Sequence, residues 1–302
     1  MDKGLFREYL IATAEFMGLG DVGIVEKDYY VVYFLKNIIS KQPNIVFAGG
    51  TSLSKCYKLV KRFSEDIDLN VYTEATGVTE RQRKQLKQDI ISIIEGSGFS
   101  LENETQIRSR RDYNRYVIDY KSPDSFAYLK QYLIVETSAF IKSFPTEMME
   151  ISCFIHDFMQ SKSINNEIEK YNLNPYDVRV QSLERTFIDK VFALADYYLN
   201  GQIKNHSRHI YDLHKIYPKI NFNDNLKILI KEVREVRKQN KIFLSAMDNI
   251  DLPKILQNMV TEKTYETDYN QITSILLFEN VSYARAIDTL QKIIDDGYFV
   301  VK

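Results

Sequence analysis

The sequence predicts an α+β fold, with a mixed-sheet domain over residues 1–177 and an all-α domain over residues 178–302. Three observations carry this. Short apolar runs of strand character alternate with helical stretches between residues 45 and 140. Beyond about residue 177 the spacing is helical, and only Gly201 and Gly297 interrupt the chain as glycines after residue 200. A length of 302 residues is enough for about two domains with sizeable cores.

In chain order, residues 5–39 read as two helices separated by a Gly-rich turn from Gly18 to Gly23, the second rich in aromatics (EKDYYVVYFLKNII). They are expected to form a helical cap. A strand at 45–48, a helix at 51–61, a strand at 66–72 and a helix at 80–95 follow, with Thr79 as N-cap of the last and Gly96 and Gly98 as its stop. Three further strands are expected at 99–107, 113–121 and 128–140, with turns at Arg110–Asp112 and Ser122–Asp124. Residues 146–180 carry short apolar runs without a clear period. In the second half, Leu183, Phe187, Val191 and Leu194 form one helical stripe and Tyr283, Ile287, Leu290 and Ile294 another. With no repeat or low-complexity linker, the two domains are expected to pack closely, the helical one closing a cleft.

The formal net charge of −1 gives no global positive field, so any nucleic-acid contact must come from local patches. Cys56 and Cys153 show no zinc spacing and read as small buried apolar residues. The N-terminus reads as an amphipathic helix and not a signal peptide, because charges interrupt its apolar pattern. No run reaches the roughly 18 apolar residues of a membrane span, so a cytoplasmic location is expected.

The stretch 49–69, GGTSLSKCYKLVKRFSEDIDL, carries the most chemistry. Gly49 and Gly50 follow an apolar strand and permit close backbone approach to a phosphate, and the helix after them favours anions at its N-terminus. Asp66 and Asp68 lie two apart on the next strand, so they share a face and suit a divalent metal. Alone, a Gly pair is usually a turn and a DxD a solvated strand end. In strand, Gly-Gly, helix, strand order they predict phosphate and metal in one site.

Glu136 sits inside the apolar run YLIVETSAF, either as a third metal carboxylate or as a sheet-edge acid with its own partner. Lys190 falls on the apolar face of its helix at about 100° per residue and needs a counter-charge, from ligand phosphate or from Asp212; the alternative is a snorkelling side chain. His206, His209 and His214 cluster in HSRHIYDLH; a metal site there is conceivable, but Asp212 positioning Lys190 or acting at the active centre, with Arg208 on phosphate, fits better. The run RSRRDYNRY interleaves Arg108, Arg110, Arg111 and Arg115 with Tyr113 and Tyr116, a pattern that suits RNA or merely a solvated hairpin tip.

Five blocks together resemble the AbiEii family of nucleotidyltransferase toxins of type IV abortive-infection toxin–antitoxin systems. They are EKDYY at 26–30, GGTSLSK at 49–55, RFSEDIDL at 62–69, SLERTFIDK at 182–190 and RHIYDL at 208–213. The resemblance implies a DNA polymerase β-like nucleotidyltransferase domain and a helical C-terminal domain, with Mg²⁺ and NTP bound between them. It implies triphosphate contacts from Gly50 and Ser52, Mg²⁺ on Asp66 and Asp68, nucleotide phosphates on Lys190, and Asp212 as the late essential acid. Gly49, Thr51, Lys55 and Arg208 complete the expected nucleotide-binding set. Where the superfamily often has Gly-Ser, this chain has Gly49-Gly50, so the serine's role passes to Thr51 or Ser52. Glu136 is matched only by its strand context.

These readings lead to an expected Mg²⁺-dependent transferase moving NMP from NTP to an RNA acceptor, the 3′ end of tRNA, restrained by an antitoxin protein. Two alternatives compete with it: transfer to a protein target, and an NTP-binding interaction module without turnover.

Overall fold

The computed structural model describes residues 3–62, 64, 66–71, 77–120, 122, 132–140 and 142–300. Backbone contacts divide the chain into two units, Met1–Cys56 with Ser64–Val180, and Tyr57–Phe63 with Gln181–Lys302. Expectations for Tyr72, for residues 123 and 124 of the turn and for 128–131 fall outside the described residues.

In the first unit, α1 (Lys3–Met17) ends at Gly18, whose φ of +66° turns the chain into α2 (Val22–Lys41). The Asp21 carboxylate caps α2 by accepting the Gly23 N–H at 2.8 Å. After β1 (Ile45–Ala48), α3 covers only Gly49–Lys55 instead of 51–61. It stops where Cys56 closes the last turn and Lys58 takes a left-handed φ of +54°, which no helix continues through. Next come β2 (Asp66–Val71) and α4 (Glu80–Gly96), the latter with Thr79 and Gln82 in a capping box.

The strand expected at 99–107 reduces to β3 (Ser100–Leu101). Beyond it the Asn103 side chain takes over the pairing, donating to the Arg115 carbonyl at 2.8 Å and accepting the Val117 N–H at 3.0 Å. β4 (Tyr113–Asp119) and β5 (Tyr132–Ser138) follow. The segment without a sequence period holds β6 (Thr146–Ile151), α5 (Phe154–Ser161), α6 (Asn165–Lys170) and β7 (Tyr176–Gln181).

The strands form one seven-stranded mixed sheet in the order β3-β4-β5-β2-β1-β7-β6. β2 runs parallel to β5 and antiparallel to β1, while β1 runs parallel to β7. One face is apolar: Ile67, Leu69, Leu133, Val135, Tyr116 and Ile118 are buried there. α2 covers it, with Tyr30 against Tyr120 at 4.9 Å. The opposite face carries the polar members of the same strands.

In the second unit, Ser182 caps α7 (Leu183–Leu199) by accepting the Arg185 N–H at 3.2 Å. Phe187, Val191 and Leu194 of the expected stripe are fully buried. Around α7 lie α8 (Arg208–Ile216), α9 (Asp224–Lys238) and α10 (Leu252–Thr261), then two single turns, α11 (Glu266–Asp268) and α12 (Ser274–Leu276), and finally α13 (Tyr283–Asp295). On α13, Tyr283, Ile287 and Leu290 are buried as their spacing requires. The segment before Phe63 joins this unit by pairing Arg62 with Leu277 and by a 2.8 Å bond from the Phe278 N–H to the Lys61 carbonyl.

Candidate active site: a carboxylate row on the polar sheet face

Asp66 and Asp68 occupy alternate positions of β2 and are half-buried on the polar face of the sheet, while Ile67 and Leu69 point into the core. The strand register extends this into a row. Ala48 pairs with Asp68, Asp68 with Glu136, and Glu136 with Arg115, across β1, β2, β5 and β4. Three carboxylates therefore share one face, with Glu136 directly beside Asp68. Among the described residues, however, no three His, Cys, Asp or Glu side chains converge as a closed metal cluster. Glu136 Oε1 lies 3.4 Å from Arg115 Nε.

Gly49 explains why a Gly pair precedes the acids. Its φ is +73°, and a Cβ placed there would lie 1.7 Å from Asp68 Oδ2. The Asp68 carboxylate thus fills the space of a missing side chain. Thr51 and Ser52 are buried and fasten the short helix: the Thr51 hydroxyl bonds the Asp66 carbonyl and Ser64, and the Ser52 hydroxyl donates to the Gly49 carbonyl at 2.9 Å. Lys55 is buried too, its ammonium 2.5 Å from Asp28 Oδ1, while Asp28 Oδ2 accepts the Phe154 N–H at 2.7 Å. Burial pushes the Asp28 carboxyl up against the pull of Lys55. The EKDYY and GGTSLSK blocks are thereby one structural device, in which α2 holds α3 against the carboxylate strand.

A different arrangement surrounds Asp212 in the second unit. The carboxylate is fully buried and accepts Arg62 Nε at 2.6 Å, Arg62 Nη2 at 2.8 Å and Lys190 Nζ at 2.7 Å. Of the two counter-charges considered for Lys190, Asp212 is the one in contact. Arg208 at the start of α8 adds to the local positive field around Lys190. The cations hold Asp212 well below the usual carboxylate range, whereas burial lowers the Lys190 ammonium.

The histidines do not form a metal group. His206 stacks on Tyr197 with ring centroids 3.5 Å apart, and His214 Nδ1 lies 2.8 Å from Thr289 Oγ1. Burial lowers all three, His206 to about 4.

Sequence reasoning missed Arg62, Asp28 and Arg115 as partners of the residues it singled out. The first two lie inside the quoted blocks, but each partner is far away in the chain, and no local period announces such a pair. The RSRRDYNRY run divides by strand parity, so Tyr113 and Arg115 face the carboxylate row while Tyr116 is in the core.

Comparison with curated proteins finds no match. The family model described as "Nucleotidyl transferase AbiEii toxin, Type IV TA system" matches residues 34–290. The matched span takes in every site residue named above except Asp28. The chain belongs to the AbiEii family and is a nucleotidyltransferase of a type IV toxin–antitoxin system.

Proposed function

We propose that the enzyme transfers NMP from an NTP to an RNA 3′ hydroxyl, with the tRNA end as target, in an Mg²⁺-dependent reaction in the cytoplasm, and that a cognate antitoxin protein restrains it. The observation that carries the reading is the carboxylate row abutting Gly49, in register across β2 and β5. The donor set suits Mg²⁺, which favours oxygen ligands and commonly takes one or two carboxylates, completing its shell with substrate phosphates and water. Asp66 and Asp68 would hold it. Bound there, Mg²⁺ would neutralise triphosphate charge and lower the pKa of the attacking hydroxyl.

The protein's own contribution is positioning. Gly49 yields its side-chain space to the Asp68 carboxylate, and Thr51 and Ser52 keep the turn in place through the bonds just described. The acceptor hydroxyl forms a bond to the α-phosphorus as the bond to pyrophosphate breaks, and its proton leaves toward a carboxylate of the row. In the second unit, Lys190, set by Asp212 and with Arg208 acting on it, is the cation assigned to a nucleotide phosphate.

Incubation of the purified chain with each α-labelled NTP, total RNA and Mg²⁺ tests the reading. Label should enter RNA and should not do so with Asp66→Asn. Folded protein that labels no RNA with any NTP would overturn it, and label in a co-purified protein would replace the acceptor.

A further inference from the structure

Tyr113 and Arg115 face the row but have no part in the chemistry above. They stand two apart on β4, about 6.6 Å along the strand. Tyr113 is 44% exposed, and the Arg115 side chain is 42% exposed. Neighbouring Tyr116 on the other face is 1% exposed, so the strand has a place for a buried ring and leaves this one out.

One carboxylate stands beside both groups. Glu136 Oε1 lies 3.4 Å from Arg115 Nε, and burial together with the Glu136 charge raises the Tyr113 phenol. The guanidinium is therefore held near the strand before any ligand arrives, which reduces the entropy lost on binding. Two arginines of the approach are exposed as well. In the loop leading to β4, Arg111 is exposed and the Arg110 side chain is 89% exposed, with only a 3.4 Å contact to Glu80.

We propose that Tyr113 and Arg115 recognise the acceptor, Tyr113 stacking on an unpaired base near the 3′ end of single-stranded RNA and Arg115 contacting the adjacent phosphate. A half-exposed ring beside a guanidinium is the combination that binds single strands with little base preference. Duplex RNA would offer Tyr113 no open base face. The proposal rests on the RNA reading given above and adds to it the residues that select the acceptor.

Steady-state kinetics of the full chain, with a short fluorescent RNA bearing an unpaired 3′ end, test this. Tyr113→Ala should raise the KM for RNA by about fivefold to a hundredfold, the range of one stacked base, and leave the KM for NTP in place. Tyr113→Phe should recover most of that loss, because the ring remains. Arg115→Gln should reduce the salt slope of RNA binding, measured by anisotropy, by about one. An unchanged RNA KM in Tyr113→Ala, or an equal rise in both KM values, overturns the proposal while RNA transfer by the wild type leaves the wider reading intact. Transfer to protein with none to RNA overturns both.

Discussion

Asp68 and Asp212 are both carboxylates that the sequence marks for function, and the fold treats them in opposite ways. Asp68 stays half-buried on the polar face of the sheet, beside Glu136 and against a glycine that yields space to it. Asp212 is sealed in a helical core, its two oxygens divided among Arg62 and Lys190. A half-buried carboxylate beside a second one on a strand suits a divalent cation, which takes oxygen ligands. A carboxylate enclosed by cations has become part of the core, and its removal leaves those cations uncompensated.

The largest effect expected from this contrast is on catalysis. Asp68→Asn should lower nucleotidyl transfer by about a thousandfold or more, since the metal's charge stabilisation is worth several kcal/mol. Its thermal midpoint should stay near that of the wild type. Transfer assays beside a melting curve check both parts, and retained activity would remove Asp68 from the chemistry.

Asp212→Asn should do the reverse in rank, costing about 3–5 kcal/mol of stability by leaving Arg62 and Lys190 buried without their counter-charge. Denaturant titration of the second-unit helices measures this. A variant as stable as wild type but inactive would move Asp212 from the supporting role to the reacting one, and the comparison with Asp68 would collapse.

Gly49→Ala falls between the two. The added methyl meets Asp68 Oδ2, and the left-handed φ of +73° adds strain of roughly 1–2 kcal/mol. Transfer should fall nearly as far as in Asp68→Asn, with a small loss of stability. A fully active Gly49→Ala enzyme would show that the Asp68 carboxylate does not need its present position.

Much of this was legible in the sequence because it follows local rules. The alternation of strand and helix, the Thr79 cap and the shared face of Asp66 and Asp68 all depend on neighbours within a few residues. The position of Glu136 beside Asp68 depends on parallel pairing across about 70 residues, so the sequence could only suggest it. The end of α3 at Lys55 was hidden because residues 56–61 keep helical composition while Lys58 adopts a left-handed φ. Arg62 looked like part of the carboxylate block; its partners, Asp212 and the bridge to Leu277, come from the far end of the chain. β6 and β7 lacked a period: the exposed side of β6 carries Met148 beside charged residues, so its apolar and polar positions do not alternate cleanly.

The smallest effect concerns pH and sharpens the account of the second unit. His206 has its pKa lowered to about 4 by burial, and His209 and His214 shift in the same direction. Unfolded histidines titrate near 6.5, so between the two values the unfolded chain binds more protons than the folded one. Stability from these groups is complete above about 6.5 and is lost as pH falls toward 4. Asp212 does not contribute in this window, because its folded carboxyl is depressed and its loss begins only below the ordinary carboxylate value. Asp28 works in the opposite direction, since burial raises its carboxyl and favours the folded state as acid increases. Denaturant titrations at pH 7, 6 and 5 should therefore show falling stability, with a shallower fall in His206→Gln. Equal slopes in the two proteins would mean that His206, despite its stack on Tyr197, takes up its proton as readily folded as unfolded.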